Sequence, residues 1–174
     1  MSLDQNALAT LVAKEDIREL VLLYSRGVDR QDLELLGTLY ADDGTDTHGD
    51  RFDGSGTDYI AFLAKNFPHL KYSGHHVCNH LISVDGETGE GEVYALAYHV
   101  YADGKGGLIE DLKGVRYIDR YRKDQGRWLF ASRIVTFDFE SIRPVPDMGT
   151  AAAPAADKSY TALASRLFAR GGRA

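Results

Sequence analysis

A chain of 174 residues that is 44% hydrophobic and 26% charged has the length and composition of a single globular domain with its own core. Its formal net charge is −6, and its Lys and Arg residues are scattered rather than gathered on one stripe, which argues against nucleic acid as a partner. Cys78 is the single cysteine, so an intrachain disulfide and a Cys-rich zinc site are both excluded.

The opening residues, MSLDQNALATLVAKED, carry early acidic groups and no apolar run long enough for a signal peptide or a membrane span, so an untargeted, cytoplasmic protein is expected. Ile17, Leu20, Val21, Tyr24 and Val28 recur at helical spacing, and Leu33, Leu36 and Leu39 do so again after a break near residues 27–31. This predicts two helices with Asp29 in the bend between them. Residues 41–56 are rich in Asp, Gly and Thr and read as loops, with at most short strands near 45–48 and 51–52. A third helix is expected from Asp58 to Phe67, N-capped by Thr57, with Ile60, Leu63 and Phe67 facing inward and Pro68 ending it.

From His75 the pattern changes to four long strand-like runs, 75–84, 90–101, 108–122 and 127–140, separated by Asp85-Gly86 with Gly89, by residues 102–107, and by Asp124-Gln125-Gly126. Helices followed by a meandering antiparallel sheet give an α+β class, with the helices covering one face of a strongly curved sheet. A ligand would lie between the two layers. Beyond Arg143, a Pro/Ala-rich stretch leads to Tyr160, Leu163, Ala164, Leu167 and Phe168 at helical spacing. The domain is therefore taken as 1–143, with 144–174 as a linker and a C-terminal amphipathic helix over residues 157–170.

Chemistry near neutral pH directs attention to the six histidines, 48, 69, 75, 76, 80 and 99. Neighbouring strand residues point to opposite faces, so His75 and His76 cannot both enter one pocket without a bulge, whereas His76 and His80 fall on one face. A histidine becomes a better base when a carboxylate holds its other ring nitrogen. Asp29, placed to face the sheet, is the carboxylate to pair, since Asp42, Asp43, Asp85 and Asp124 read as turn residues. Lys113 and Arg116 lie on opposite faces of one strand, so one of them could reach the pocket. Ten tyrosines, each an apolar body with a polar tip, suit a cavity that holds and orients an apolar ligand. No HExxH, no Walker-type loop and no GxGxxG after a strand occurs, so neither a metal nor a nucleotide cofactor is expected.

The runs DIRELVLLYSRGVDRQDLELLGTLYADDG, GHHVCNHLISVDGETGEGEVY and KGVRYIDRYRKDQGRWLFASR, in that order, resemble the SnoaL-like branch of the nuclear transport factor 2-like superfamily over about residues 12–140. The resemblance implies a cone-shaped α+β fold, frequent homodimers or homotrimers, and no cofactor. Within that branch the chain resembles scytalone dehydratase, the bile-acid 7α-dehydratase and hexachlorocyclohexane dehydrochlorinase. It implies an Asp/His dyad at Asp29 and His75, the latter opening a His-x-x-x-Asn run that ends at Asn79, and a pocket tyrosine at Tyr24. His48 falls where two of these dehydratases carry a pocket tyrosine, and His99 matches a second histidine. The late arginine of the bile-acid enzyme has Phe137 nearest to it, which speaks against a steroid-CoA substrate.

The function expected is cofactor-independent elimination from a small aromatic or alicyclic hydroxylated molecule, with loss of water or of a one-carbon fragment such as formaldehyde. Asp29, His75 and Tyr24 are the expected catalytic residues, and His48, His99, Asn79, Arg116 and Lys113 the expected substrate contacts. A cyclase or isomerase would use the same groups, while a non-catalytic binding module would not need them.

Overall fold

The carboxylate of Asp4 accepts a hydrogen bond from the Asn6 amide (3.0 Å) and opens a 25-residue helix, α1 (Gln5–Asp29), in the computed structural model, which describes residues 4–149 and 153–173. Ile17, Leu20, Val21, Tyr24 and Val28 form its buried face, as their spacing requires. Gln31, in the left-handed region at φ 51°, ends the run, and Asp32 caps the short helix α2 (Leu33–Gly37) by accepting the Leu35 amide at 3.1 Å. Gly27 lets the two helices meet, because a Cβ there would lie 2.7 Å from carbons of Leu36.

The Asp/Gly/Thr-rich stretch is not mainly loop. It forms β1 (Tyr40–His48) and β2 (Asp53–Ser55). β1 runs parallel to the last strand and antiparallel to β2, so pairing on both edges overrides its weak local strand preference. Ser55, rather than Thr57, caps α3 (Gly56–Asn66), and the buried face of that helix is Tyr59 and Leu63, continued by Phe67, with Ile60 only partly covered.

Four strands then form a meander: β3 (Leu70–Asp85), β4 (Thr88–Ala102), β5 (Leu108–Asp124) and β6 (Arg127–Val145). The sheet order is β2-β1-β6-β5-β4-β3. The last hairpin turns through Gln125 (φ 47°) and Gly126 (φ 82°), the positive-φ pair that matches the twist of two-residue hairpins. Register shifts between Val77 and His80 on β3, and near Gly114 and Tyr121 on β5, bend the sheet around α1. Val93, Ala95, Val115 and Tyr117 on the concave face pack against Leu20, Tyr24 and Val28 in one core. The result is an α+β cone.

The tail departs from the expected long helix. It contains one helical turn, α4 (Ser159–Ala162), and 3-10 turns at Pro154–Ala156 and Arg166–Phe168. Its apolar residues do not share one helical face. Polar contacts fix it instead: Arg26 donates to Ser159 and to the Phe168 carbonyl, Arg30 pairs with Asp157 (2.8 Å), and the Gly171 amide donates to Asp32 (2.9 Å). Residues 150–152 of the expected linker lie outside the described residues, and the expected boundary at 143/144 falls within the span of β6. No helix among the described residues is long and apolar enough to cross a membrane.

Candidate active site

Asp29 is the last residue of α1, and its carboxylate reaches across to β3. One oxygen accepts the Ser73 hydroxyl (2.9 Å) and pairs with His75 Nδ1 (2.6 Å); the other accepts the His75 backbone N–H (2.9 Å). Three donors on one side chain fix the rotamer of the acid and the orientation of the imidazole. With Nδ1 committed to Asp29, Nε2 is the ring nitrogen left for a ligand. Burial by itself would raise the Asp29 pKa, but the His75 ring bond and charge, the His75 amide and Ser73 together outweigh it and hold the carboxyl below its ordinary range.

Strand alternation turns Ser73 and His75 inward and His76 outward, which decides between the adjacent histidines. The β3 bulge then changes the phase. Val77 and His80 both pack inward while Cys78 and Asn79 are exposed, so Asn79 does not reach the cavity, and His76 and His80 do not share a face. His80 bonds Tyr121 Oη at 3.1 Å on the far side of the core, where burial lowers its pKa to about 4.

The cavity between sheet and helices has a volume of about 220 Å³. Tyr24, Tyr59, Phe62, Phe67, Tyr117 and Phe137 supply most of its aromatic wall, and His48, His75, His99, Arg51 and Lys113 its polar groups. His99 packs edge-to-face on His75 with centroids 5.3 Å apart. Burial, then the nearby charges of His75 and Lys113, lower its pKa to about 3, so it enters neutral chemistry as a hydrogen-bonding group. Lys113 is buried, paired with Asp111 and with Glu140 (2.9 Å), and Glu140 also takes Arg51 at 2.9 Å. Burial lowers the Lys113 pKa, against the opposing bond from Glu140. Arg116 lies elsewhere: three residues on, it faces the outer side of the sheet, where it pairs with Asp138 (3.0 Å) and Glu92 (3.4 Å), and is no pocket residue.

Across the cavity stands a second arrangement that the sequence reading did not assemble. Asp46, fully buried, accepts the Tyr40 hydroxyl (2.5 Å) and pairs with His48 Nδ1. His48 Nε2 lies 3.1 Å from Tyr59 Oη and 3.5 Å from Tyr24 Oη, and the two tyrosine oxygens are 2.8 Å apart. Burial raises the pKa of both tyrosines and keeps them neutral. Behind Tyr24, the buried Arg133 is held by two bonds to Asp119 (2.8 and 2.7 Å), with its guanidinium 4.2 Å from the Tyr24 and Tyr117 ring centres and 4.1 Å from that of Phe130. Asp46-x-His48 in a strand was the signal available for the second pair, since alternate residues share a face. For Arg133 there was none.

A comparison with curated proteins finds no match. Among solved structures, a candidate scytalone dehydratase of Novosphingobium aromaticivorans is 22% identical with a TM-score of 0.68, covering 82% of this chain and 97% of its own. A type 2 hexachlorocyclohexane dehydrochlorinase (LinA) is 20% identical with a TM-score of 0.69, over 82% and 95%. The type 3 LinA of Novosphingobium barchaimii is 19% identical with a TM-score of 0.68, over 82% and 96%. At these identities the likeness is one of fold. The model of the SnoaL-like domain matches residues 9–134, and the chain belongs to this family, within the nuclear transport factor 2-like superfamily.

Proposed function

We propose that this protein is a cofactor-free lyase acting on a small, hydroxylated aromatic or alicyclic molecule. The observation that carries the reading is the Asp29–His75 pair, 2.6 Å apart, in the wall of an aromatic cavity. A histidine oriented by a buried carboxylate is a general base, and Nε2 is the nitrogen that takes the proton. Tyr24 polarises the departing oxygen, and His99 and Lys113 offer further hydrogen bonds and positive charge to a developing anion. Two proton-transfer sites and an apolar enclosure suffice for elimination, in which the C–H electron pair becomes the new double bond and the leaving group departs with its own pair.

A cavity of about 220 Å³ lies below the roughly 300–1,000 Å³ typical of drug-sized ligands, which favours a one-ring substrate over a steroid. In a 1,3-diol the same base could take the terminal O–H proton. The C–C bond would then break to release formaldehyde while its electron pair forms the double bond and expels the second hydroxyl, which takes a proton from Tyr24 to leave as water. The large side chains exposed on the outer face of the sheet, Leu81, Ile118 and Ile134 among them, support a homo-oligomer.

The test is product analysis by mass spectrometry on a panel of one-ring β-hydroxy ketones, benzylic carbinols and aryl 1,3-diols. Loss of 18 mass units marks dehydration, a further 30 marks formaldehyde release, and unchanged mass marks isomerisation, with mass values set by the leaving fragments at about integer precision. Absence of any product, or product formation undiminished in Asp29→Asn and His75→Ala, would overturn the reading.

A further inference from the structure

The Asp29–His75 pair accounts for removal of a proton, but expelling hydroxide from carbon also requires one to be delivered. The cavity's opposite wall holds the means. Asp46 has no solvent exposure and two donors, Tyr40 and His48, converge on it. A buried carboxylate could be satisfied by Tyr40 and a backbone group; here it holds an imidazole whose other nitrogen faces a pair of tyrosine hydroxyls. The rings of His48 and Tyr59 stack at 4.7 Å and 19°, which fixes both. Tyr59 and Tyr24 are 2% and 1% exposed, so water does not compete for their hydroxyls from outside the cavity.

We propose that Asp46, His48, Tyr59 and Tyr24 form a proton relay that serves as the general acid, with Tyr24 the group that touches the departing oxygen; this rests on the lyase reading above. The hydrogen-bond chain has two polarities. With His48 neutral and Nδ1–H directed to Asp46, Nε2 accepts from Tyr59, Tyr59 accepts from Tyr24, and Tyr24 presents only lone pairs to the cavity. With His48 protonated, Nε2–H donates to Tyr59, Tyr59 donates to Tyr24, and the Tyr24 hydroxyl points its proton at the ligand. The second polarity is the reactive one.

In the reaction His75 takes the substrate proton, the carbon electron pair forms the double bond, and the C–O bond breaks toward oxygen. Tyr24 gives its proton to that oxygen and takes one from Tyr59, which takes one from Nε2 of protonated His48. Water leaves, His75 is left protonated and His48 neutral, and solvent exchange restores both. The His48 side chain, 17% exposed, has the access this recharging needs. Because burial keeps the tyrosines from ionising, they pass a proton on rather than hold a charge.

A general acid matters only when the leaving group needs a proton, and this separates the relay from a structural role. The probes are 3-hydroxycyclohexanone and 4-hydroxy-4-phenylbutan-2-one, each paired with its acetate ester, which leaves as carboxylate. Enone formation is followed by ultraviolet absorbance. Tyr59→Phe, which keeps the ring stack, and His48→Gln are expected to lower kcat on the hydroxyl probes by on the order of 100-fold and on the acetates by no more than a few-fold. Asp29→Asn should suppress both series alike. Equal losses on both leaving groups in Tyr59→Phe and His48→Gln would overturn the relay and leave the lyase reading standing. Failure of the wild-type protein to convert any of the four probes would overturn both. Thermal melts of each variant identify one that does not fold, and the remaining member of the pair then decides the matter.

Discussion

Asp29 carries three hydrogen bonds on two oxygens, and that count sets what its replacement does. An asparagine keeps one acceptor and turns an NH2 toward groups that are themselves donors, so His75 loses its fixed tautomer. Asp29→Asn is expected to lower kcat by about 10²–10⁴-fold with a much smaller change in KM, as measured by steady-state kinetics on whichever substrate is converted. The same carboxylate is linked to stability. Its folded pKa is depressed below the ordinary 3.8, so its contribution is present above that value and disappears as pH falls through the lower, folded one. His99 acts over a different window with the same sign. Its folded pKa of about 3 lies below the ordinary 6.5, so between these values the unfolded chain binds the extra proton and stability falls on acidification, by about 1.4 kcal/mol per pH unit. His80, at about 4, adds to this slope less strongly because it is more solvated. Urea unfolding at pH 7 and pH 5 should show the loss, and His99→Phe should narrow the gap between the two curves while His80 keeps the remainder; an unchanged gap would mean that other groups carry it. Asp29 was legible in the sequence because a carboxylate at a helix end can face the sheet; strand alternation left His75 and His76 open, and the family resemblance pointed to His75, which lies five residues inside β3 and meets Asp29 there. The partner of His48 was less so: the short strand expected near 45–48 puts Asp46 and His48 on one face, but only the burial of Asp46 reveals a charge that must be satisfied.

At the scale of elements, hydrophobic period located α1 and the four long strands, because each buries one regular face. β1 was read only in its last residues, near 45–48, as the strand character of the rest comes from pairing with β6 and β2 rather than from its own residues. The phase change in β3 was equally hidden. Nothing in residues 77–80 announces the bulge that turns His80 inward and leaves Asn79 in solvent. The tail misled because apolar residues at helical spacing need a surface that rewards a helix, and Arg26, Arg30 and Asp32 instead bind the chain as turns. Gly27 shows how closely α1 and α2 are fitted. With an added methyl 2.7 Å from Leu36, Gly27→Ala gains helix propensity of about 1 kcal/mol but overpacks the junction at a cost of about 1–3 kcal/mol. Net destabilisation in chemical denaturation is expected, and a stabilised variant would show that the junction relaxes freely.

For the whole molecule, the sheet has two faces, and only the concave one is covered by the helices. On the convex face Leu81, Glu92, Ile118 and Ile134 stand side by side across β3, β4, β5 and β6. Leu81 is 71% exposed, and Leu96 and Phe139 flank the glycine at 114 in a second such row. Glu92, inside the first row, pairs with Arg116, which also pairs with Asp138, so the face carries charges of both signs. A largely apolar face that also carries both charges is complementary to a copy of itself, as a symmetric interface requires. Light scattering coupled to size exclusion should therefore give a mass that is a multiple of the 19.2 kDa chain. Replacing Ile118 and Ile134 with Lys should shift it toward the single chain while the thermal transition persists, because those side chains do not contribute to the core behind the sheet. A native mass of one chain would leave the convex face without a partner of its own kind, and it would then have to be read as a site for a different protein.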